Sequence, residues 1–253
     1  MNLPLSHSRL VRRMFSAVLM TLAFTLPVAA LDLGPLKGEV FGQGNRNLVV
    51  VLHGDSGPGN GRMSAFARTI AAQAPGSTVV ALTRPGFNGK GGRSPGENSS
   101  KDHYTKRNNQ LVAQSLSAMR KALKPGRTIV VGHSGGAAQT AIVNGSYPGL
   151  IDVAILAGCP CNVPAWRVSR RGSNNWTQSQ SPHDFAQGLR KGSTVILLTN
   201  ARDTNTLPRF AEEYAALAKK AGARVTLQIP SGGGHNFSNY EGRTLGLVKQ
   251  VLK

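Results

Sequence analysis

The sequence contains only two cysteines, Cys159 and Cys161, and a single proline separates them. Two thiolates are too few for a structural zinc site, and no histidine stands beside them at ligand spacing. In an oxidising compartment three arrangements stay open: a bridge across one residue, a link to another chain, or two free thiols. This cysteine content therefore excludes zinc-finger folds and fixes no pairing.

Acidic residues are also scarce, with 11 Asp and Glu against 30 Lys and Arg, which gives a net charge of +19. A chain this basic attracts polyanions through its long-range field. The sequence nevertheless has no basic helical repeat, no aromatic-rich sheet motif and no zinc-finger spacing. We expect no nucleic-acid partner, and the charge is typical of a basic exported protein.

Long apolar runs are absent except near the N-terminus, where residues 1–30 contain no Asp or Glu. Arg12 and Arg13 precede an apolar run over 17–26, and Val28-Ala29-Ala30 supplies small residues for cleavage. This layout predicts a signal peptide over residues 1–30 that is cleaved after Ala30, with a periplasmic or secreted product. The run is about half the roughly 20 residues that span a bilayer, so we expect no stable membrane insertion after cleavage. An uncleaved anchor is the alternative, and the export route, Sec or twin-arginine, stays open.

The remainder, residues 31–253, alternates short apolar runs with helical patterns, as one α/β domain does. Strands that are apolar throughout indicate a mostly parallel, doubly wound sheet with helices on both faces. Catalytic groups are then expected beyond the carboxyl ends of the strands. The predicted strands are 48–52, 78–82, 128–131, 153–156, 194–198 and 225–229, and the predicted helices are 64–74, 103–123, 137–144, 208–221 and 240–252.

One long segment, residues 162–192, lacks strand signals and carries Trp166 and Trp176 among several arginines. Loops of this length are often lids or substrate-binding segments, and a plain surface excursion is the alternative. We predict a short lid-like insertion. Its single acidic residue, Asp184, favours neutral or anionic substrates over ammonium-bearing ones.

The motif G-x-S-x-G occurs twice, around Ser94 and around Ser134. Ser134 directly follows an apolar strand and begins a helix of small residues, which is the strand–turn–helix context of a nucleophile elbow. Ser94 has neither neighbour, and Pro95 cannot donate the N–H that an oxyanion needs from the next residue. Ser134 is therefore the predicted nucleophile.

A serine nucleophile needs a base, and the base needs a carboxylate. His235 lies in a glycine-rich loop after the last strand, and Asp203 follows the strand at 194–198, so both occupy carboxyl ends. We expect His133, within the elbow, to point away from the nucleophile, and His53, His103 and His183 to have structural or solvated roles. Asp102, by contrast, precedes a helix and is predicted to cap it.

The oxyanion hole requires two backbone N–H donors. Gly135 should supply one of them. The other should come from the turn after the first strand, with Asp55 as first choice and Ser56 as second, unless this Gly/Pro-rich cluster is only a turn.

With these residues placed, the chain resembles the α/β-hydrolases, most closely the single-domain relatives of prolyl oligopeptidase and dienelactone hydrolase. The features that carry the resemblance are His53-Gly54, Arg84-Pro85-Gly86-Phe87, Gly132–Gly136, Cys159–Trp166, Ser181-Pro182, Asp203 and Gly234-His235. The resemblance covers roughly residue 48 to the C-terminus and implies a serine hydrolase without metal or organic cofactor. The sequence departs from both named relatives. No β-propeller precedes the domain, unlike in prolyl oligopeptidase, and the nucleophile is Ser134 rather than the Cys of dienelactone hydrolases.

We therefore expect an exported carboxylesterase-like enzyme that acts on a small-molecule ester or amide through Ser134, His235 and Asp203. A serine peptidase or aminopeptidase is the first alternative, although it would need carboxylates to hold a substrate ammonium group. A non-catalytic binding protein on a hydrolase scaffold is the second. The natural substrate and the oligomeric state stay open.

Overall fold

The computed structural model describes residues 30–58, 61–97 and 102–253. The predicted signal peptide falls on residues 1–29 and so lies outside the described residues, apart from Ala30. Residues 31–253 form one compact unit. Within the described residues no helix has the length and apolar character needed to cross a bilayer.

Seven strands form the main sheet in the order β1-β3-β2-β6-β7-β8-β9, and β1 alone runs antiparallel to its neighbour. This confirms the predicted mostly parallel, doubly wound sheet. Two strands of two residues each, β4 and β5, form a separate antiparallel hairpin. The strands are β1 (Gly38–Phe41), β2 (Asn47–Leu52), β3 (Thr78–Leu82), β4 (Asn88–Gly89), β5 (Gly92–Arg93), β6 (Arg127–His133), β7 (Val153–Ala157), β8 (Thr194–Leu198) and β9 (Arg224–Gln228).

Helices pack on both faces of the sheet and give the protein two apolar cores, one on each side. Strands β2, β3 and β7 are buried along their whole length, because side chains on both of their faces meet helices. The helices are α1 (Arg62–Gln73), α2 (Lys106–Leu123), α3 (Gly135–Ser146), α4 (Val163–Arg171), α5 (Pro182–Phe185), α6 (Pro208–Lys220) and α7 (Glu241–Leu252), with 3-10 turns at Ala186–Gly188 and Phe237–Asn239.

The start of α2 corrects two expectations. The helix begins at Lys106 rather than His103, because the Thr105 side chain accepts the N–H of Asn108 and caps the first turn. Asp102 is therefore not the cap, and its Oδ2 instead accepts the Gln178 N–H at 2.8 Å. Residues 102–105 thus contact the insertion as well as α2.

The insertion at residues 162–192 has more regular structure than its sequence pattern predicts. It contains α4 and α5, and Asn162 caps α4 by accepting the N–H of Ala165. A β-bridge between Thr105 and Ser179 joins it to the segment before α2. The insertion is therefore a structured segment that is joined to the residues before α2.

Candidate active site

Ser134 lies in the tight turn between β6 and α3, with φ 53° and ψ −121°. A non-glycine residue rarely adopts positive φ, and such strain is typical of functional sites. A Cβ on Gly132 or Gly136 would collide with the backbone of the elbow or of β2. The flanking glycines therefore allow the turn to form against the neighbouring strand.

His235 and Asp203 converge on Ser134 from two other strand ends. His235 Nε2 lies 2.7 Å from Ser134 Oγ, and His235 Nδ1 lies 2.8 Å from Asp203 Oδ2. Because Nδ1 donates to the carboxylate, Nε2 is left to accept the serine proton. The structure thus brings together the three side chains that the sequence singles out.

Asp203 comes shortly after β8 in the sequence. Its carboxylate accepts hydrogen bonds from five donors. Besides His235, it accepts the N–H groups of Asn205 and Thr206, the Thr206 hydroxyl and, at 2.5 Å, the hydroxyl of Tyr240. Burial alone would raise the pKa of Asp203, but the hydrogen bond and charge of His235, together with Tyr240 and Thr206, lower it to about 2. The carboxylate is therefore ionised across the pH range in which a histidine base works.

His133 lies beside His235 and contacts its backbone rather than Ser134 Oγ. Its Nε2 donates to the backbone carbonyl of His235 at 2.9 Å, and the two rings lie 5.1 Å apart. Burial and the nearby charge of His235 lower the pKa of His133 to about 3. The neutral His133 ring therefore holds the backbone at His235 in place.

His53 has a structural role beneath the turn that follows β2. Its Nδ1 donates to the Gly54 carbonyl at 2.8 Å, while its Nε2 accepts the Arg84 N–H at 3.0 Å. Burial, followed by the charge of Arg84, lowers the pKa of His53 to about 3. The neutral ring thus joins the turn after β2 to the turn after β3.

The segment Gly54–Asp55 passes directly against the elbow. A Cβ built on Gly54 would lie 3.1 Å from Ser134 Cβ, and one built on Gly135 would collide with the Asp55 carboxylate. Among the hydrogen bonds of the described residues, the backbone N–H groups of Asp55, Ser56 and Gly135 have no acceptor. These are the N–H groups that the sequence analysis predicts as hydrogen-bond donors to an oxyanion.

A buried network that sequence reasoning missed surrounds Asp55. Arg84, 1% exposed, donates from Nη1 to Asp55 Oδ1 at 2.9 Å and from Nε to the Gln139 side chain at 2.6 Å. Tyr104 donates to Asp55 Oδ2 at 2.7 Å, and His103 Nδ1 lies 3.4 Å from Oδ1. Burial alone would raise the pKa of Asp55, but Arg84 outweighs it and holds the pKa well below its ordinary value. The resemblance includes Arg84, although only the fold reveals its partner.

A cavity of about 490 Å³ opens over Ser134 and His235. The turn after β2 forms one side of it, and the insertion forms another through Trp166, Arg167 and Trp176. Within the described residues, no cluster of His, Cys, Asp and Glu is placed to hold a metal ion. A substrate in this cavity would contact both the serine and the insertion.

The second G-x-S-x-G serine, Ser94, has a structural role. Ser94 is fully buried, and its hydroxyl donates to the Thr83 carbonyl at 2.6 Å, so it stabilises a turn.

Cys159 and Cys161 form a disulfide with each other, which is the first of the three arrangements left open by the sequence. The disulfide lies between β7 and α4.

The model of the family described as "Alpha/beta hydrolase family" matches residues 49–182, which include the elbow. The chain belongs to the alpha/beta hydrolase family. The match ends before Asp203 and His235, so those two positions rest on the geometry described above. Among curated proteins, none matches this alpha/beta hydrolase.

Solved structures of three hydrolases share the fold of this alpha/beta hydrolase. A monoacylglycerol lipase of Paleococcus ferrophilus is 16% identical with a TM-score of 0.61, covering 86% of this chain and 98% of its own. A proline iminopeptidase of Mycobacterium smegmatis is 15% identical with a TM-score of 0.62, covering 85% and 93%. An esterase of Pyrococcus furiosus is 15% identical with a TM-score of 0.61, covering 87% and 91%. At such identities the likeness shows the fold alone.

Proposed function

We propose that this alpha/beta hydrolase is a serine hydrolase that cleaves carboxylic esters through an acyl-enzyme. The observation that carries the proposal is the chain of short contacts from Ser134 Oγ through His235 to Asp203. A serine hydroxyl is a weak nucleophile unless a base takes its proton as it attacks. This geometry supplies both the base and the carboxylate that orients it.

In the proposed reaction, Ser134 Oγ attacks the ester carbonyl while His235 Nε2 takes its proton. The tetrahedral oxyanion accepts hydrogen bonds from the N–H groups of Gly135 and Asp55, and Ser56 is the second choice for the latter. His235 then returns the proton to the leaving alcohol, and water repeats the sequence on the acyl-enzyme. Asp203 stabilises the imidazolium that forms in each half.

Esters are favoured over aminoacyl amides by the charges that line the cavity. Among the described lining residues, Asp55 is the only carboxylate, and it is already paired with Arg84 and Tyr104. An aminopeptidase needs free carboxylates to hold a substrate ammonium group. Arginines of the insertion face the cavity instead.

We further propose that the protein is exported, with residues 1–30 as its signal peptide. The sequence layout of that segment and the Cys159–Cys161 disulfide support this proposal, since disulfides persist mainly in oxidising compartments.

A panel of esters and aminoacyl amides tests the substrate class. We expect kcat/KM for 4-nitrophenyl acetate and butyrate to exceed that for alanine and proline 4-nitroanilides by about a thousandfold or more, because ester cleavage needs no ammonium site. The Ser134→Ala variant serves as the blank. Faster turnover of the anilides would instead favour the peptidase alternative, and equal rates with wild type and Ser134→Ala would refute catalysis by Ser134.

A further inference from the structure

The cavity has an aromatic wall, defined here as Trp166, Trp176 and His103. The two indoles lie 5.4 Å apart at 72°, and the His103 ring lies 4.8 Å from Trp176. Trp166 Nε1 donates to the Asn205 side chain at 3.0 Å, which fixes the orientation of that indole. The sequence has two tryptophans, Trp166 and Trp176, and both line this cavity.

Arg167 lies against both indoles of the aromatic wall. Its Cζ is 4.6 Å from the ring centroid of Trp176 and 5.5 Å from that of Trp166. The side chain donates from Nη2 to Asn175 at 2.7 Å, while its buried Nε has no acceptor among the described residues. Arg167 is only 8% exposed, and within the described residues no carboxylate lies within ion-pair distance of it.

A guanidinium with so little exposed surface and no ion pair is costly, because water solvates its charge poorly. The carboxylates of Asp55 and Asp102 act on Arg167 only from beyond ion-pair distance. Burial and the nearby charge of Arg171 lower the pKa of Arg167, yet an arginine side chain stays protonated in proteins. Arg170 and Arg171 line the same cavity and add positive charge. Asp55, across the cavity, is neutralised by Arg84. The site therefore presents a net positive charge beside the aromatic wall.

We propose that the substrate is an ester whose aromatic group carries a carboxylate, with the ring against the aromatic wall and the carboxylate on Arg167. This inference rests on the proposed esterase function and names its substrate class. A guanidinium binds a planar carboxylate with paired hydrogen bonds, and indoles pack well against a flat ring. Arg167 is then a specificity-determining residue.

Tryptophan fluorescence tests the anion site without any catalytic step, because both indoles belong to the wall. The full chain is titrated with benzoate and with benzamide, which match in size and differ in charge. We expect benzoate to change the emission saturably, with a Kd about tenfold or more below that of benzamide, since charge-assisted hydrogen bonds exceed neutral ones. Added NaCl should weaken the binding of benzoate but not that of benzamide.

Arg167→Met should reduce the difference between the two ligands to less than about threefold. Arg209→Met is the matched control, because exposed Arg209 also lies over an aromatic ring, 5.0 Å from Phe210, yet lines no part of this cavity. Benzoate binding no tighter than benzamide in the unmutated protein would overturn the proposal, and that comparison does not depend on how any variant folds.

Hydrolysis distinguishes this proposal from the esterase function on which it rests. Arg167→Met should lower kcat/KM for 4-acetoxybenzoate about tenfold, through KM, and leave methyl 4-acetoxybenzoate within about twofold. Equal losses on both esters would contradict a specificity role. Turnover of esters without preferential benzoate binding would refute the anion site and keep the esterase. Benzoate binding without any turnover would refute the esterase and keep the anion site.

Discussion

Replacing Asp203 by asparagine is expected to lower kcat for ester hydrolysis about ten-thousand-fold at pH 7. Asparagine has nearly the shape of aspartate but no charge, so it neither stabilises an imidazolium nor fixes the His235 tautomer that leaves Nε2 free to accept a proton. The amide would also face the Thr206 and Tyr240 donors that now bind the carboxylate. Steady-state kinetics on 4-nitrophenyl butyrate measures the loss.

Asp184→Asn is the matched control for Asp203→Asn, because Asp184 is an exposed carboxylate in the first turn of α5. It should keep wild-type kcat within about twofold, as surface substitutions generally do. If Asp203→Asn retained more than a tenth of wild-type kcat while folded, another group would have to orient the base, and the assignment of Asp203 would be wrong.

Lowering the pH from 7 to 5 is expected to destabilise the folded protein. His53 and His133 have folded-state pKa values of about 3, against an ordinary value of 6.5. Between these values the unfolded chain binds protons that the folded chain does not, so stability present above pH 6.5 is lost as pH falls. Together the two histidines should lower the free energy of unfolding by about 4 kcal/mol between pH 7 and pH 5. Urea titrations at the two pH values measure this change.

His133→Gln isolates one of the two contributions. Glutamine retains an N–H donor for the His235 carbonyl but does not titrate in this range. The variant should lose about 2 kcal/mol less than wild type on going from pH 7 to pH 5. An unchanged pH dependence would mean that His133 titrates normally in the folded protein.

The positions of Ser134, Asp203 and His235 could be predicted because each follows an apolar strand. Parallel strands place their carboxyl ends at one edge of a sheet, so residues distant along the chain meet there. The neighbouring elements distinguish Ser134 from Ser94, since both serines have flanking glycines but only Ser134 lies between a strand and a helix. The convergence of these three side chains could therefore be predicted from local patterns and a single rule of topology.

The network around Asp55 could not be predicted from local patterns. Arg84 and Tyr104 reach Asp55 from segments 29 and 49 residues away, and a lone arginine or tyrosine gives no periodic signal. Tyr240 likewise has the pattern of a core residue at the start of α7, and only the fold brings its hydroxyl to Asp203. Such contacts depend on how helices and loops pack, which spacing alone does not specify.

Two other features were missed for reasons of length. Strand β1 has four residues and lies antiparallel at the sheet edge, where pairing with β3 rather than its own apolarity defines it. Helix α4 has nine residues, three of them arginines, so its apolar stripe is short. Packing of Trp166 against Trp176, which lies beyond the end of the helix, stabilises α4.

The most direct test of the account is covalent labelling with a fluorophosphonate, followed by peptide mass spectrometry. The reagent phosphonylates a serine only when a neighbouring base activates it. We predict a single adduct on Ser134, none on Ser94, and none in the Ser134→Ala protein. Folded wild-type protein that stays unlabelled, or that carries the adduct on another residue, would contradict the proposed nucleophile.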